Sequence, residues 1–311
     1  MTYAQGLEEF VERSNKAMPP DFYLRPVAEQ RALYRGLTQE FPYDRPEGVD
    51  VSEDVLTHDG RTVDVRVYRP RERAGRGVLL YIRGGGFVVG DLETHDSVVA
   101  ELAVHSGLTA VAVAFRMAPE NPFPACLEDC YTALCALAAG PQALDIDPER
   151  IVVCGDSSGG NMTVVLCMMA RDRGGPAIAG QASISPVLDF TRWRDGGDDA
   201  PLLTGGEMEY YTACYCPDPD DAASAYVSPL RSGTFHALPP AYIMAAELDS
   251  LLEDSVRYAE RLRENGTEVE IVVEPGLVHA AVRARALAPA VEDAWRRYCA
   301  AAARLAGAGR E

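Results

Sequence analysis

Residues Ile151 to Asn161 read Ile-Val-Val-Cys-Gly-Asp-Ser-Ser-Gly-Gly-Asn, a β-branched run that stops on Gly-x-Ser-x-Gly and continues into the apolar, helix-like stretch Met162 to Ala170. A nucleophilic serine needs its hydroxyl held clear of the backbone on a tight strand-to-helix turn, and Gly155 and Gly159 leave room for that turn where side chains would clash. Ser157 is therefore the first candidate nucleophile. Taken alone, the five-residue pattern fits a plain loop between a buried strand and a helix equally well; the flanking strand and helix favour the chemical reading.

Outward from this turn, short β-branched segments alternate with helical ones. Val63 to Tyr68, Val78 to Ile82, Thr109 to Phe115, Ile151 to Cys154, Ala182 to Ser185, Tyr242 to Ala245 and Val269 to Val273 read as strands. Ser97 to His105, Leu127 to Ala138, Met162 to Ala170, Ser255 to Arg263 and Val291 to Leu305 read as helices. Such alternation predicts a mostly parallel central sheet flanked by helices on both faces, with Asp59-Gly60 turning an antiparallel hairpin at its start. Before it, Leu7, Phe10 and Val11, then Leu33, Tyr34, Leu37 and Phe41, recur at helical spacing, interrupted by Pro19-Pro20 and ended by Pro42. Two short helices are expected there. Asp195 to Asp221 breaks the alternation: it is rich in Gly, Asp and Pro, holds the cluster Met208, Tyr210, Tyr211 and Tyr215, and has no good strand. An insertion of that length is expected to be a lid packed with the N-terminal helices. The expected division is a helical cap from 1–48 and 194–225 over a core from 49–193 and 226–311.

Bulk properties narrow the function classes. The 311 residues are 47% hydrophobic and 24% charged, ordinary for a globular chain, and no apolar run approaches the length of a membrane span. The N-terminal stretch, with Glu8, Glu9, Glu12, Arg13 and Lys16, lacks the apolar core of a secretory signal, so the chain reads as cytoplasmic. A formal net charge of −18 opposes nucleic acid and acidic membranes as partners, because phosphate binding needs cations. The eight cysteines sit mostly in apolar periodic segments and read as reduced, structural thiols, Cys214 and Cys216 being the least certain pair; no metal site is expected.

A serine nucleophile needs a base, a group that orients the base, and donors for the developing oxyanion. Of five histidines, His279 follows a strand and the turn Pro275-Gly276, where a loop residue can reach over the sheet edge; His95 is its nearest competitor. Asp249 follows the strand Tyr242 to Ala245, with Glu247, Glu253 and Asp254 as rivals and a helix N-cap as its alternative role. Gly84-Gly85-Gly86, after the strand Val78 to Ile82, can turn its N–H groups toward a ligand; phosphate cradling is disfavoured because neither glycine-lysine nor dinucleotide spacing is present.

Gly84-Gly85-Gly86, Arg116-Met117-Ala118-Pro119-Glu120 with Pro122-Phe123-Pro124-Ala125, the Gly155 to Asn161 turn, Glu247-Leu248-Asp249 and Gly276-Leu277-Val278-His279 together resemble the hormone-sensitive lipase family of α/β-hydrolase esterases. The resemblance spans most of the chain from Val51. It implies the α/β-hydrolase fold and a serine carboxylester hydrolase, without metal or organic cofactor, acting through an acyl-enzyme on small-molecule substrates that are short-chain or small polar esters. Residue by residue it implies Ser157 as nucleophile, Asp249 and His279 as its triad partners, and the N–H groups of Gly85, Gly86 and Ser158 as oxyanion donors. A lactone or N-acetyl amide hydrolase, an acyl transferase and a non-catalytic binding protein stand as alternatives, since one triad serves many acyl transfers.

Two departures stand out. Arg83 replaces the family's usual histidine before the glycines, and either braces the loop or draws a polar or anionic group of the substrate. Ala114 stands where the family commonly has aspartate, which puts a structural hydrogen bond in doubt. Phe87, Tyr210 and Tyr211, with Phe22 and Tyr23, are candidate linings of the substrate pocket, and equally candidate cap core. A homodimer through a sheet edge is a reasonable expectation.

Overall fold

Each central strand divides its side chains between two faces, as a period of two requires. Val78, Leu80 and Ile82 enter one core with Ile151 and Val153, while Leu79 and Tyr81 enter another with Val152 and Cys154. Strands buried on both faces need helices on both, and those helices come from the alternating segments of the sequence.

The computed structural model describes residues 2–308; Met1 and 309–311, the extreme ends of the expected cap and core segments, lie outside the described residues. Helices α1 (Leu7–Ala17) and α2 (Val27–Glu40) precede the hairpin β1 (Val49–His58) and β2 (Arg61–Pro70). There follow β3 (Val78–Ile82), α3 (Asp96–Ser106), β4 (Thr109–Val113), α4 (Ala125–Ala138), β5 (Ile151–Asp156), α5 (Ser158–Asp172) and β6 (Gly180–Ile184). The chain ends with α6 (Gly205–Tyr215), β7 (Ala241–Ala246), α7 (Leu252–Glu264), β8 (Val269–Glu274) and α8 (Pro289–Leu305). The sheet order is β1-β2-β4-β3-β5-β6-β7-β8; β1 with β2 and β2 with β4 are antiparallel, and the remaining pairs are parallel. Asp59 and Gly60 both have positive φ, as a two-residue hairpin turn demands. Helices α4, α5 and α7 cover one face and α3 and α8 the other.

The strands predicted from sequence are all present. The insertion holds a helix, α6, which the aromatic cluster marked without defining; Thr204 caps its start by accepting from the Glu207 N–H at 3.1 Å. The N-terminal segment and the insertion meet where Gln30 Nε2 donates to the Tyr210 hydroxyl at 2.8 Å and the Tyr23 and Tyr210 rings lie 5.9 Å apart. No described helix is long and apolar enough to cross a membrane. All eight cysteines are free, and only Cys214 is less than fully buried.

Parallel strands point the same way, so β3, β5, β7 and β8 deliver their following loops to one edge of the sheet. The loop after β8 is hung from the opposite helical layer. Arg285 Nε donates to Glu101 Oε2 on α3 at 2.6 Å, and Trp295 Nε1 on α8 donates to the same oxygen at 3.0 Å. Both members of this ion pair are buried, so removing one leaves an uncompensated charge. Arg285→Ala is expected to lower unfolding free energy by about 3–5 kcal/mol in chemical denaturation; a loss below about 1 kcal/mol would show that the pair does not anchor this loop.

Candidate active site

Ser157 has φ 54° and ψ −118°, outside the regions that a side-chain-bearing residue prefers, and α5 begins on the next residue. The turn is held by its N–H donating to the Ile184 carbonyl at 2.8 Å and by the Asn161 amide donating to the Val187 and Val227 carbonyls at 2.8 and 2.9 Å. Glycine is required on both sides for steric reasons. A Cβ on Gly159 would lie 1.9 Å from the Ile82 carbonyl oxygen, and one on Gly155 would lie 2.4 Å from the Gly159 oxygen.

The other two groups arrive on the loops after β7 and β8. His279 Nε2 lies 3.0 Å from Ser157 Oγ, and His279 Nδ1 lies 2.7 Å from Asp249 Oδ2. Burial lowers the His279 pKa, but the Asp249 carboxylate, together with Glu207 and Asp156, outweighs it and the net effect is upward. Asp249 Oδ1 also accepts from the Leu251 N–H at 2.9 Å, closing a turn just ahead of α7; the N-cap position itself is taken by Leu251, and no side chain caps the helix. Its rivals have other work. Glu247 accepts from the Gly276 N–H at 2.7 Å, and Asp254 accepts from the Leu188 N–H at 2.7 Å and pairs with Arg192 at 2.8 Å. His95, the competing base, faces Asp156 at 3.5 Å and Thr94 at 3.0 Å. This arrangement can pass the Ser157 proton to a histidine whose far nitrogen is fixed by a carboxylate, the requirement for nucleophilic acyl chemistry.

Asp156, the variable residue of the Gly-x-Ser-x-Gly pattern and one that carries no signal of its own in the sequence, ties the turn to the glycine loop. Its Oδ1 accepts from the Gly84 N–H at 3.0 Å and from the Tyr81 hydroxyl at 2.7 Å. Burial alone would raise its pKa, but His95, Tyr81 and the Gly84 N–H hold it down at about 2. Gly85 and Gly86 then adopt φ 125° and 57°, and a Cβ on Gly85 would strike the Val89 carbonyl oxygen at 2.1 Å. Gly85, Gly86, Ser157 and Ser158 border one cavity of about 190 Å³, which His279 also reaches.

Phe87 and Tyr211 line that cavity. The Tyr211 ring covers Gly86 so closely that a Cβ there would lie 2.4 Å from it, while the Phe87 ring stacks on Tyr215 with centroids 3.6 Å apart. For two residues with open alternatives, the placement as substrate contacts is not what the structure has: Arg83 braces the loop and Tyr210 packs within the cap. Arg83 is buried behind the loop and does not border the cavity: its Nη1 donates to the Val89 and Gly84 carbonyls at 2.8 and 3.2 Å, and its guanidinium lies 4.4 Å over the Phe115 ring. Burial pulls its pKa down to about 10, which leaves it cationic at neutral pH. Tyr210 is turned toward Gln30 and Tyr23 instead of the cavity, because adjacent helical residues point about 100° apart. The Ala114 N–H donates to the Asp64 carbonyl at 2.9 Å, a backbone bond that needs no side chain.

Residues 79–283 match a family described as having the alpha/beta hydrolase fold. The carboxylesterase NlhH of Mycobacterium tuberculosis is 36% identical over 260 residues, covering 81% of each chain. The chain belongs to the hormone-sensitive lipase-like family of α/β-hydrolases. Other similar members are the ethyl acetate hydrolase of Pseudomonas putida, 34% identical over 86% of this chain and 84% of that protein, and a hyperthermophilic esterase from Pyrobaculum calidifontis. The structure of the latter aligns with a TM-score of 0.88 at 30% identity, over 98% of this chain and 99% of that one.

The packing of the turn makes opposite forecasts for two glycines. Gly159→Ala is expected to cost about 3 kcal/mol of stability, because backbone on both sides must shift. Gly36→Ala, inside α2 with open space around the added methyl, is expected to gain about 0.5–1 kcal/mol. Thermal denaturation of both variants checks this pair; equal effects would remove the steric account.

Proposed function

We propose that the chain is a serine carboxylesterase that hydrolyses small esters of short acyl chains through an acyl-enzyme. The observation that carries this reading is the unbroken run Ser157, His279, Asp249 at 3.0 and 2.7 Å, opening on a small, mostly apolar cavity. Ser157 Oγ attacks the ester carbonyl while His279 Nε2 takes its proton. His279 Nδ1–H stays on Asp249, which stabilises the imidazolium. The N–H groups of Gly85, Gly86 and Ser158 receive the oxyanion, and the alcohol leaves with the proton from His279. Water, deprotonated by the same histidine, then releases the acid and restores Ser157. Residues 1–48 and 194–225 act as the cap in this reading, because Phe22, Leu203 and Tyr211 from those segments close the cavity. A cavity of about 190 Å³ favours short acyl chains over long ones. The edge strand β8 is where the expected homodimer would form; a monomer mass by light scattering would remove that part.

Ser157→Ala is expected to abolish both labelling by a fluorophosphonate probe and turnover of p-nitrophenyl butyrate; turnover equal to wild type would overturn the esterase reading. Asp249→Asn is expected to lower kcat by a factor on the order of 10⁴. Only neutral His279 accepts the proton, so kcat/KM rises as pH passes its pKa; that limb lies above 6.5 in the wild type and moves down when Asp249 loses its charge. Arg83→His is expected to change rates on neutral and anionic esters by the same factor, because Arg83 braces the loop from behind; a selective loss on the anionic ester would restore a substrate contact.

A further inference from the structure

Helix α6 carries a carboxyl group to the cavity that the reaction scheme does not use. Glu207 is 8% exposed, borders the cavity together with Ser157 and His279, and stands one helical turn before Tyr211. Its carboxyl is close enough to His279 that each shifts the charge of the other. Burial pushes the Glu207 pKa up to about 7, against the opposing pull of His279 and the Tyr211 hydroxyl.

The rest of the lining gives this group little company. Phe10, Phe22, Phe87, Phe190, Leu203 and Met208 are apolar. The charged or titratable groups around the cavity are His279 and Asp156 from the core loops, Tyr34 from α2, Tyr211 on α6 and Arg283 beyond His279. Arg283 is engaged elsewhere: its Nη1 donates to the Thr94 carbonyl at 3.2 Å and its guanidinium lies 4.8 Å over the Tyr34 ring. Asp156 is held by Gly84 and Tyr81. Among the described residues no arginine or lysine forms an ion pair with Glu207. His279, itself paired with Asp249, is the positive neighbour that favours the Glu207 carboxylate, so the charged form stays costly in this apolar enclosure, and a cationic ligand lowers that cost. The net charge of −18 acts in the same direction, concentrating cations at the surface and speeding their encounter.

We propose that Glu207 is a specificity-determining residue that selects esters bearing a cationic amine on an otherwise apolar acyl or alcohol part. The proposal rests on the serine-esterase reading and names the substrate class of that site. It also places the polar discrimination on the cap, opposite in sign to the anionic selectivity considered for Arg83. Because the carboxylate is the form that pairs, the preference for a cation strengthens as pH rises through about 7.

The test compares p-nitrophenyl 4-(trimethylammonio)butanoate with its uncharged isostere, p-nitrophenyl 5,5-dimethylhexanoate, in the wild type and in Glu207→Gln. The ratio of their kcat/KM values is expected to favour the cationic ester by at least ~10-fold at pH 8 and to collapse in the variant. Choline against 3,3-dimethylbutan-1-ol, as competing inhibitors of neutral-ester hydrolysis by the wild type, repeats the comparison without any substitution. A wild-type ratio near one, equal inhibition by the two alcohols, or a ratio unchanged in Glu207→Gln would each overturn the proposal. These outcomes leave the esterase reading standing as long as turnover still requires Ser157; turnover that survives Ser157→Ala would sink both.

Discussion

The backbone at the start of α5 passes so close to the end of β3 that Gly159 has no room for a Cβ beside the Ile82 carbonyl. That approach brings the β5 turn and the β3 loop to one point. Asp156 converts proximity into alignment by accepting the Gly84 N–H, so the residue before Ser157 also positions the glycine loop. The unfavourable dihedrals of Ser157, a cost of order 1–3 kcal/mol, persist because the bonds from Ser157 to Ile184 and from Asn161 to Val187 and Val227 over-determine the turn.

The remaining loops are locked to each other before they are locked to the serine. The Leu248 N–H donates to the Leu277 carbonyl at 2.9 Å and Glu247 accepts from Gly276, which joins the loop carrying Asp249 to the one carrying His279. From the N-terminus, the Ala4 N–H donates to the Gly276 carbonyl at 3.1 Å, and farther along the chain Arg285 anchors to Glu101. Glu247, which competes with Asp249 on sequence grounds, is thus part of the scaffold that places it. The cap adds a third constraint: Tyr211 lies against Gly86 and Tyr215 stacks on Phe87, so cap packing and the shape of the glycine loop are not independent.

The strands, the helices flanking them and the elbow at Ser157 were legible because each rests on a local signal: a period of two, a period of 3.6, and a glycine at a crowded turn. Asp249 and His279 were legible through the motifs and chain order that carry the family resemblance. Arg83 and Tyr210 were not legible. A cation beside a glycine loop has the same sequence signature whether it faces the cavity or the helices behind it, and two consecutive tyrosines on one helix face different neighbours. Glu207 carried no sequence signal at all, since an acidic residue in the first turn of a helix ordinarily meets solvent and favours the helix dipole.

By itself, therefore, the sequence determined the strands and the elbow at Ser157, because those features follow from steric limits and periodicities that act within a few residues, while Asp249 and His279 were marked by the chain order and motifs that carry the family resemblance. Only the tertiary structure decided which charges reach the cavity. Burial depends on segments far apart in the chain closing over one another, and that closure turned Arg83 into a brace behind the loop and left Glu207 facing the cavity beside His279.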